Sequence, residues 1–83
     1  MLSAKDRLIT IRGLIIPVNW DERGKVTAIA ASTFDEQEYL LEHDKTIDPL
    51  FSLIRKEVEV TGYVRQEKGK KIMTVQEFHL NRI

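Results

Sequence analysis

Glu57-Val58-Glu59-Val60-Thr61-Gly62-Tyr63-Val64-Arg65 alternates with period two and runs into a polar glycine turn, Gln66-Glu67-Lys68-Gly69-Lys70. That period places Val58, Val60 and Val64 on one face of a strand and Glu57, Glu59, Tyr63 and Arg65 on the other. Gly62 falls on the inward face, which predicts a kink or a close approach of another backbone. Beyond the turn, Lys71 to Leu80 carries Ile72, Met73, Val75, Phe78 and Leu80 in two apolar parities, so an irregularity is expected near Gln76. The C-terminal third is therefore a long hairpin with Gly69 in the left-handed turn position.

The N-terminal part follows the same rules. Arg7 to Trp20 holds Ile9, Thr10, Ile11, Ile15, Ile16 and Val18, β-branched residues that suit a pleated surface. Ile9 and Ile11 share one face, and Leu14, Ile16, Val18 and Trp20 share the other. The changeover at Gly13 predicts a β-bulge or bend there, and Pro17, lacking a ladder donor, is expected beside an edge or bulge. Asp21-Glu22-Arg23-Gly24-Lys25 reads as a tight hairpin with Gly24 left-handed. Val26 to Phe34 is a second strand with small residues at its centre, Ala28, Ala30 and Ala31. Asp35-Glu36-Gln37 is a turn, and Glu38 to His43 a third strand whose Leu40-Leu41 leaves open which face is buried.

Between this meander and the hairpin the period changes. Asp48-Pro49 has the chemistry of a helix start, a carboxylate cap before a proline with preset φ. Leu50, Leu53 and Ile54 then form one apolar stripe, with Arg55 and Lys56 in the expected last turn, where cations complement the helix dipole. Three strands, a two-turn helix and two strands predict a mainly β, five-stranded closed barrel. An open sheet of this composition would expose apolar edges, and the helix is placed to plug one mouth with Leu50, Leu53 and Ile54.

With 83 residues and 9.7 kDa, the chain is expected to form a single domain over 1–83. Thirteen Lys and Arg balance thirteen Asp and Glu, which excludes a strongly basic nucleic-acid coat and an acidic solvating tail. The charge is nevertheless segregated: the run from Asp35 to Asp48 is acidic, and Arg65 to Lys71 is basic. Absence of cysteine removes disulfides, thiolate metal sites and a Cys nucleophile. No apolar run approaches the roughly 20 residues of a membrane span, and Met1 to Arg7 has no apolar signal core, so a cytoplasmic location without membrane contact is expected.

The kinked first strand with Gly13, the Asp48-Pro49 helix in its slot, and Val58 to Val64 before a glycine hairpin together resemble the OB-fold. This is a Greek-key barrel that binds oligonucleotides, oligosaccharides or proteins, and the resemblance spans about Arg7 to Arg82. The Val58 to Val64 segment looks like the fourth strand of anticodon-binding-type OB domains. The resemblance implies a binding face on strands two and three, flanked by the loops joining strands one to two and four to five. It selects Trp20, Arg23 and Lys25 on one side, with Arg65, Lys68, Lys70 and Lys71 on the other.

Those residues suit single-stranded nucleic acid, RNA or DNA: lysines and arginines neutralise phosphates, and Trp20 and Tyr63 supply rings for base stacking. Trp20 also suits a cap over the barrel. Phe34, Phe51 and Phe78 read as core or core-edge residues. The acidic run, which brings Glu42 and Asp44 toward the cleft, opposes a phosphate chain. The small-residue floor instead admits a flat partner such as a peptide, and segregated charge suits self-association. A non-catalytic binding module is thus expected, with single-stranded nucleic acid favoured and a protein partner or a second copy as the alternative. His43 and His79 have no metal-ligand spacing, Ser3, Ser32 and Ser52 lack an evident base, and no phosphate-binding glycine loop occurs. No catalytic residue, metal or cofactor is expected.

Overall fold

The computed structural model describes residues 7–81; Ser3 and Arg82, the expected end of the barrel, lie outside the described residues. Five strands, β1 (Leu8–Trp20), β2 (Val26–Thr33), β3 (Glu38–Leu41), β4 (Glu57–Glu67) and β5 (Lys70–Leu80), close into a barrel in the order β1-β2-β3-β5-β4. A 3₁₀ helix, Lys45–Leu53, lies between β3 and β4. The β3–β5 pair is parallel and the other seams are antiparallel. β1 serves two partners, β4 along residues 8–14 and β2 along residues 13–20, and so turns the sheet back on itself.

The inside is dry. Ile15, Ile29, Leu41, Val58, Val60, Met73 and Val75 meet in one cluster, 2% exposed or less, which the helix completes with Ile47 and Leu50. Ile47 was not anticipated, and Leu53 and Ile54 are only partly buried against this core. The reason is that the helix begins earlier than Asp48-Pro49 suggests. Asp44 is its cap, accepting from the Thr46 N–H at 2.8 Å, and Pro49 lies inside. Asp48 instead faces His43, with Oδ1 3.4 Å from Nε2. Two Asp residues four apart compete for the cap, and the earlier one turns both Ile47 and Leu50 into the barrel. Arg55 and Lys56 consequently fall beyond the helix. Arg55 takes the left-handed conformation (φ 71°), and its N–H donates to the Ile15 carbonyl at 2.7 Å, tying the helix exit to β1.

Gly13 is not a bulge. It pairs without slip to Thr33 and to Val58, and the inward parity runs unbroken through Ile9, Ile11, Gly13 and Ile15, leaving Leu14 45% exposed. Register shifts fall instead after Pro17, between Pro17 and Asn19, and again between Asn19 and Trp20, beside the residue that has no N–H to give the ladder. What Gly13 provides is room: a Cβ there would sit 2.8 Å from the Ser32 carbonyl carbon. Gly62 does the same on the opposite seam, where a Cβ would collide with the Thr74 carbonyl. It also adjoins a second bulge, with Thr61 opposite Glu77 and Gly62 opposite Val75, so Gln76 is the extra residue, at its expected place. Gly24 (φ 82°) and Gly69 (φ 79°) hold the two left-handed turn positions expected of them. β3 stops at Leu41, two residues before the expected His43, because the chain leaves to enter the Asp44 cap.

Candidate binding cleft

The outer surface is read from the same registers. Residues alternating with the buried Ile15, Ala31, Leu41 and Met73 point outward, and four of them form a lateral row: Ile16 opposite Ala30, Ala30 opposite Leu40, Leu40 opposite Ile72. Ala30 lies on the outside yet is 0% exposed, a short side chain covered between two larger aliphatic ones. Beside this row a cleft of about 490 Å³ opens between the end of β1 and the β4–β5 turn. Val18, Ala28 and Leu40 form its apolar floor, and Gln37, Glu38, Lys70 and Lys71 its polar rim. It occupies the face that the OB resemblance implies.

Of the eight residues expected to bind, Lys70 and Lys71 line this cleft. Lys71 is already engaged: its Nζ donates to Gln37 Oε1 and lies 5.1 Å from the centre of the Tyr39 ring. Lys68 stands in the same turn, lining a second depression with Arg65. Trp20 follows Asn19 of the cleft wall and is 52% exposed, so it does not seal the barrel. Lys25 faces a separate hollow beside Thr27, His43, Asp48 and Phe51, and Arg23 is exposed in the first hairpin. That hairpin is ordered by Asp21, whose Oδ1 accepts from the N–H groups of Arg23 (2.8 Å) and Lys25 (2.9 Å). Tyr63 is on β4, opposite Leu8 and Thr74, two strands away from β3 and outside the cleft.

Arg65 is held by acids. Its Nη2 donates to Glu42 at 2.5 Å and its Nε to Glu67 at 2.6 Å, while Thr74 Oγ1 donates to the other Glu42 oxygen at 2.9 Å. Hydrogen bonds from Arg65 and then Thr74 hold the Glu42 carboxyl below its usual value of 4.5. The bond to Glu42, followed by that to Glu67, makes the guanidinium still harder to deprotonate. The network neutralises the cation nearest the β5 end of the apolar row. Glu42 and Arg65 are 23 residues apart, so no local spacing announces the pair. Among the described residues, Lys68 and Lys70 take part in no salt bridge.

Phe34 reverses the expectation that it belongs to the core: it is 81% exposed at the tip of the β2–β3 turn. The turn itself is well built, with the Thr33 N–H on the Gln37 carbonyl (2.9 Å), the Glu36 N–H on the Thr33 carbonyl (3.1 Å) and the Gln37 N–H on Thr33 Oγ1 (3.1 Å). Glu36 is left-handed at φ 65°. Those bonds carry the ring outward. Phe51 and Phe78, by contrast, pack against the core.

His43 and Asp48 are both well exposed, and the His43 imidazole meets the Phe51 ring edge to face at 5.9 Å. Such an exposed pair contributes little, and no group of three or more His, Asp or Glu positioned for a metal occurs among the described residues. Among the described residues, no helix is long and apolar enough to cross a membrane. Compared with known protein families, curated proteins and solved structures, the chain finds no match.

Proposed function

We propose that the chain is a non-catalytic OB-like binding module whose β1–β2–β3 cleft takes a protein segment carrying one apolar side chain flanked by acidic residues. The strand order and the helix between β3 and β4 support the OB-like assignment. The observation that carries the ligand class is the composition of the cleft: an aliphatic floor of Val18, Ala28 and Leu40 under a rim of mixed charge, two lysines and a glutamate, with no aromatic ring among its described lining residues. Base stacking needs rings and phosphate tracking needs uncompensated cations. Glu38 in the rim and the neutralised Arg65 beside it oppose the second, and the described lining residues supply no ring for the first. An apolar side chain gains by burial on such a floor at roughly 25 cal/mol per Å², and acidic flanks meet Lys68 and Lys70.

One observation favours a second reading, single-stranded nucleic acid: the exposed Trp20 ring next to the cleft wall, with two lysines free of salt bridges in the facing turn. Amide chemical-shift titration separates the two. A short peptide with a leucine or phenylalanine between aspartates is expected to move the resonances of Ala28, Leu40 and Lys70, and an oligothymidine to leave them in place. Movement by the oligonucleotide alone, with affinity falling steeply as salt rises, overturns the protein reading in favour of the second.

A further inference from the structure

We propose that the segment this cleft takes belongs to a second copy of the chain: two molecules dock about a two-fold axis, each seating its Phe34 turn in the other's cleft. The inference rests on the protein-segment reading above and names the partner.

Phe34 has the properties of an interface anchor. It is a large rigid apolar group, 81% exposed, on a turn fixed by backbone bonds that bind Thr33 to Glu36 and Gln37. Ordering costs little when the presenting loop is already set, and aromatic anchors of this kind dominate interface energetics. Its neighbours Asp35 and Glu36 are acidic and exposed. The cleft is the counterpart: aliphatic at the floor, with a rim in which Lys70 and Lys71 outnumber Glu38, and with Lys68 beside it. Apolar meets apolar and acid meets base when one copy's turn enters the other's cleft.

The geometry within one chain favours a reciprocal pair. Gln37, at the foot of the turn, is itself a cleft-lining residue, and the high exposure of Phe34 shows that the ring does not fold back into its own cleft. Anchor and receptor are thus adjacent on one surface with opposite charge. A two-fold rotation superposes each on its complement and satisfies both at once, closing the assembly at a dimer.

Sedimentation of the whole chain over a concentration series tests the pairing. Wild type is expected to dimerise. Phe34→Ser is expected to weaken association on the order of 30-fold, as loss of a central anchor does, with unchanged far-ultraviolet dichroism and, at concentrations where both chains are monomeric, an unchanged melting temperature, because the ring supports nothing in its own fold. Lys70→Glu and the double variant Asp35→Lys with Glu36→Lys are each expected to remain monomeric, and their equimolar mixture to recover heterodimers. Recovery by mixing supports the proposal in a way misfolding cannot imitate. Wild type that stays monomeric at about millimolar concentration, where even weak complexes assemble, overturns it, as does undiminished pairing by Phe34→Ser or failure of the mixture. A synthetic peptide of residues 32–38 distinguishes the two failures. If it shifts the cleft resonances of a monomeric chain, the pairing falls and the protein-segment reading stands. If it leaves them unmoved, both fall.

Discussion

β4 and β5 present two surfaces built by opposite rules. Inward, Val58, Val60, Met73 and Val75 are 2% exposed or less and belong to one apolar cluster. Outward, Arg65 and Thr74 join Glu42 and Glu67 in a half-exposed polar network, while Ile72 continues the aliphatic row from β1 through β3. The inside has no spare capacity, and a change of one methyl is felt there as strain or as a cavity. The outside spends its charges partly on one another, while Lys68 and Lys70 join no salt bridge among the described residues. Stability thus belongs to the inner surface and the proposed recognition to the outer, although residues of both alternate along the same strands.

Substitutions along this seam break or sharpen that contrast. Leu50→Ala removes the plug of the apolar interior and is expected to cost about 2–5 kcal/mol, measured by urea unfolding; a loss below about 1 kcal/mol contradicts a helix that completes the core. Gly62→Ala places a methyl against the Thr74 carbonyl, and a destabilisation of about 1–3 kcal/mol is expected. Unchanged stability in that variant contradicts the close approach of β4 and β5.

The smallest effect belongs to the outer network. Because Glu42 has a lowered carboxyl pKa in the folded chain, its contribution is fully present above the usual value of 4.5 and is lost as pH falls through the folded value below it. Thermal melts between pH 7 and pH 3 are expected to show a steeper acid loss for wild type than for Glu42→Gln. Equal slopes dissolve the assigned role of the pair. Both side chains are more than a third exposed, and screening by water keeps the effect modest.

Most of the architecture is legible in the chain. Alternation from Glu57 to Arg65 and the two glycine turns delimit β4, β5 and the hairpins, and the parity change in β5 locates the Gln76 bulge. The helix is legible as an element but not at its start, because Asp44 and Asp48 are both acceptable caps and only the fit of Ile47 into the barrel chooses between them. Gly13 misleads: a glycine at a bulge and a glycine under a neighbouring backbone look alike until Ser32 is in place. In the candidate site, the positions of Lys70 and Lys71 follow from the turn. The capture of Arg65 by Glu42 and the exposure of Phe34 do not.

Period, turn chemistry and charge are properties of residues close along the chain, and they suffice for strands, hairpins and a barrel-forming order. Which cations stay free, which aromatic ring faces water and which aspartate caps the helix are settled between residues far apart, when closure of β3 against β5 brings Glu42 to Arg65 and Gln37 to Lys71. Local conformational preference acts through the backbone within a few residues, whereas electrostatic pairing and burial act through space, and only the closed barrel determines those distances.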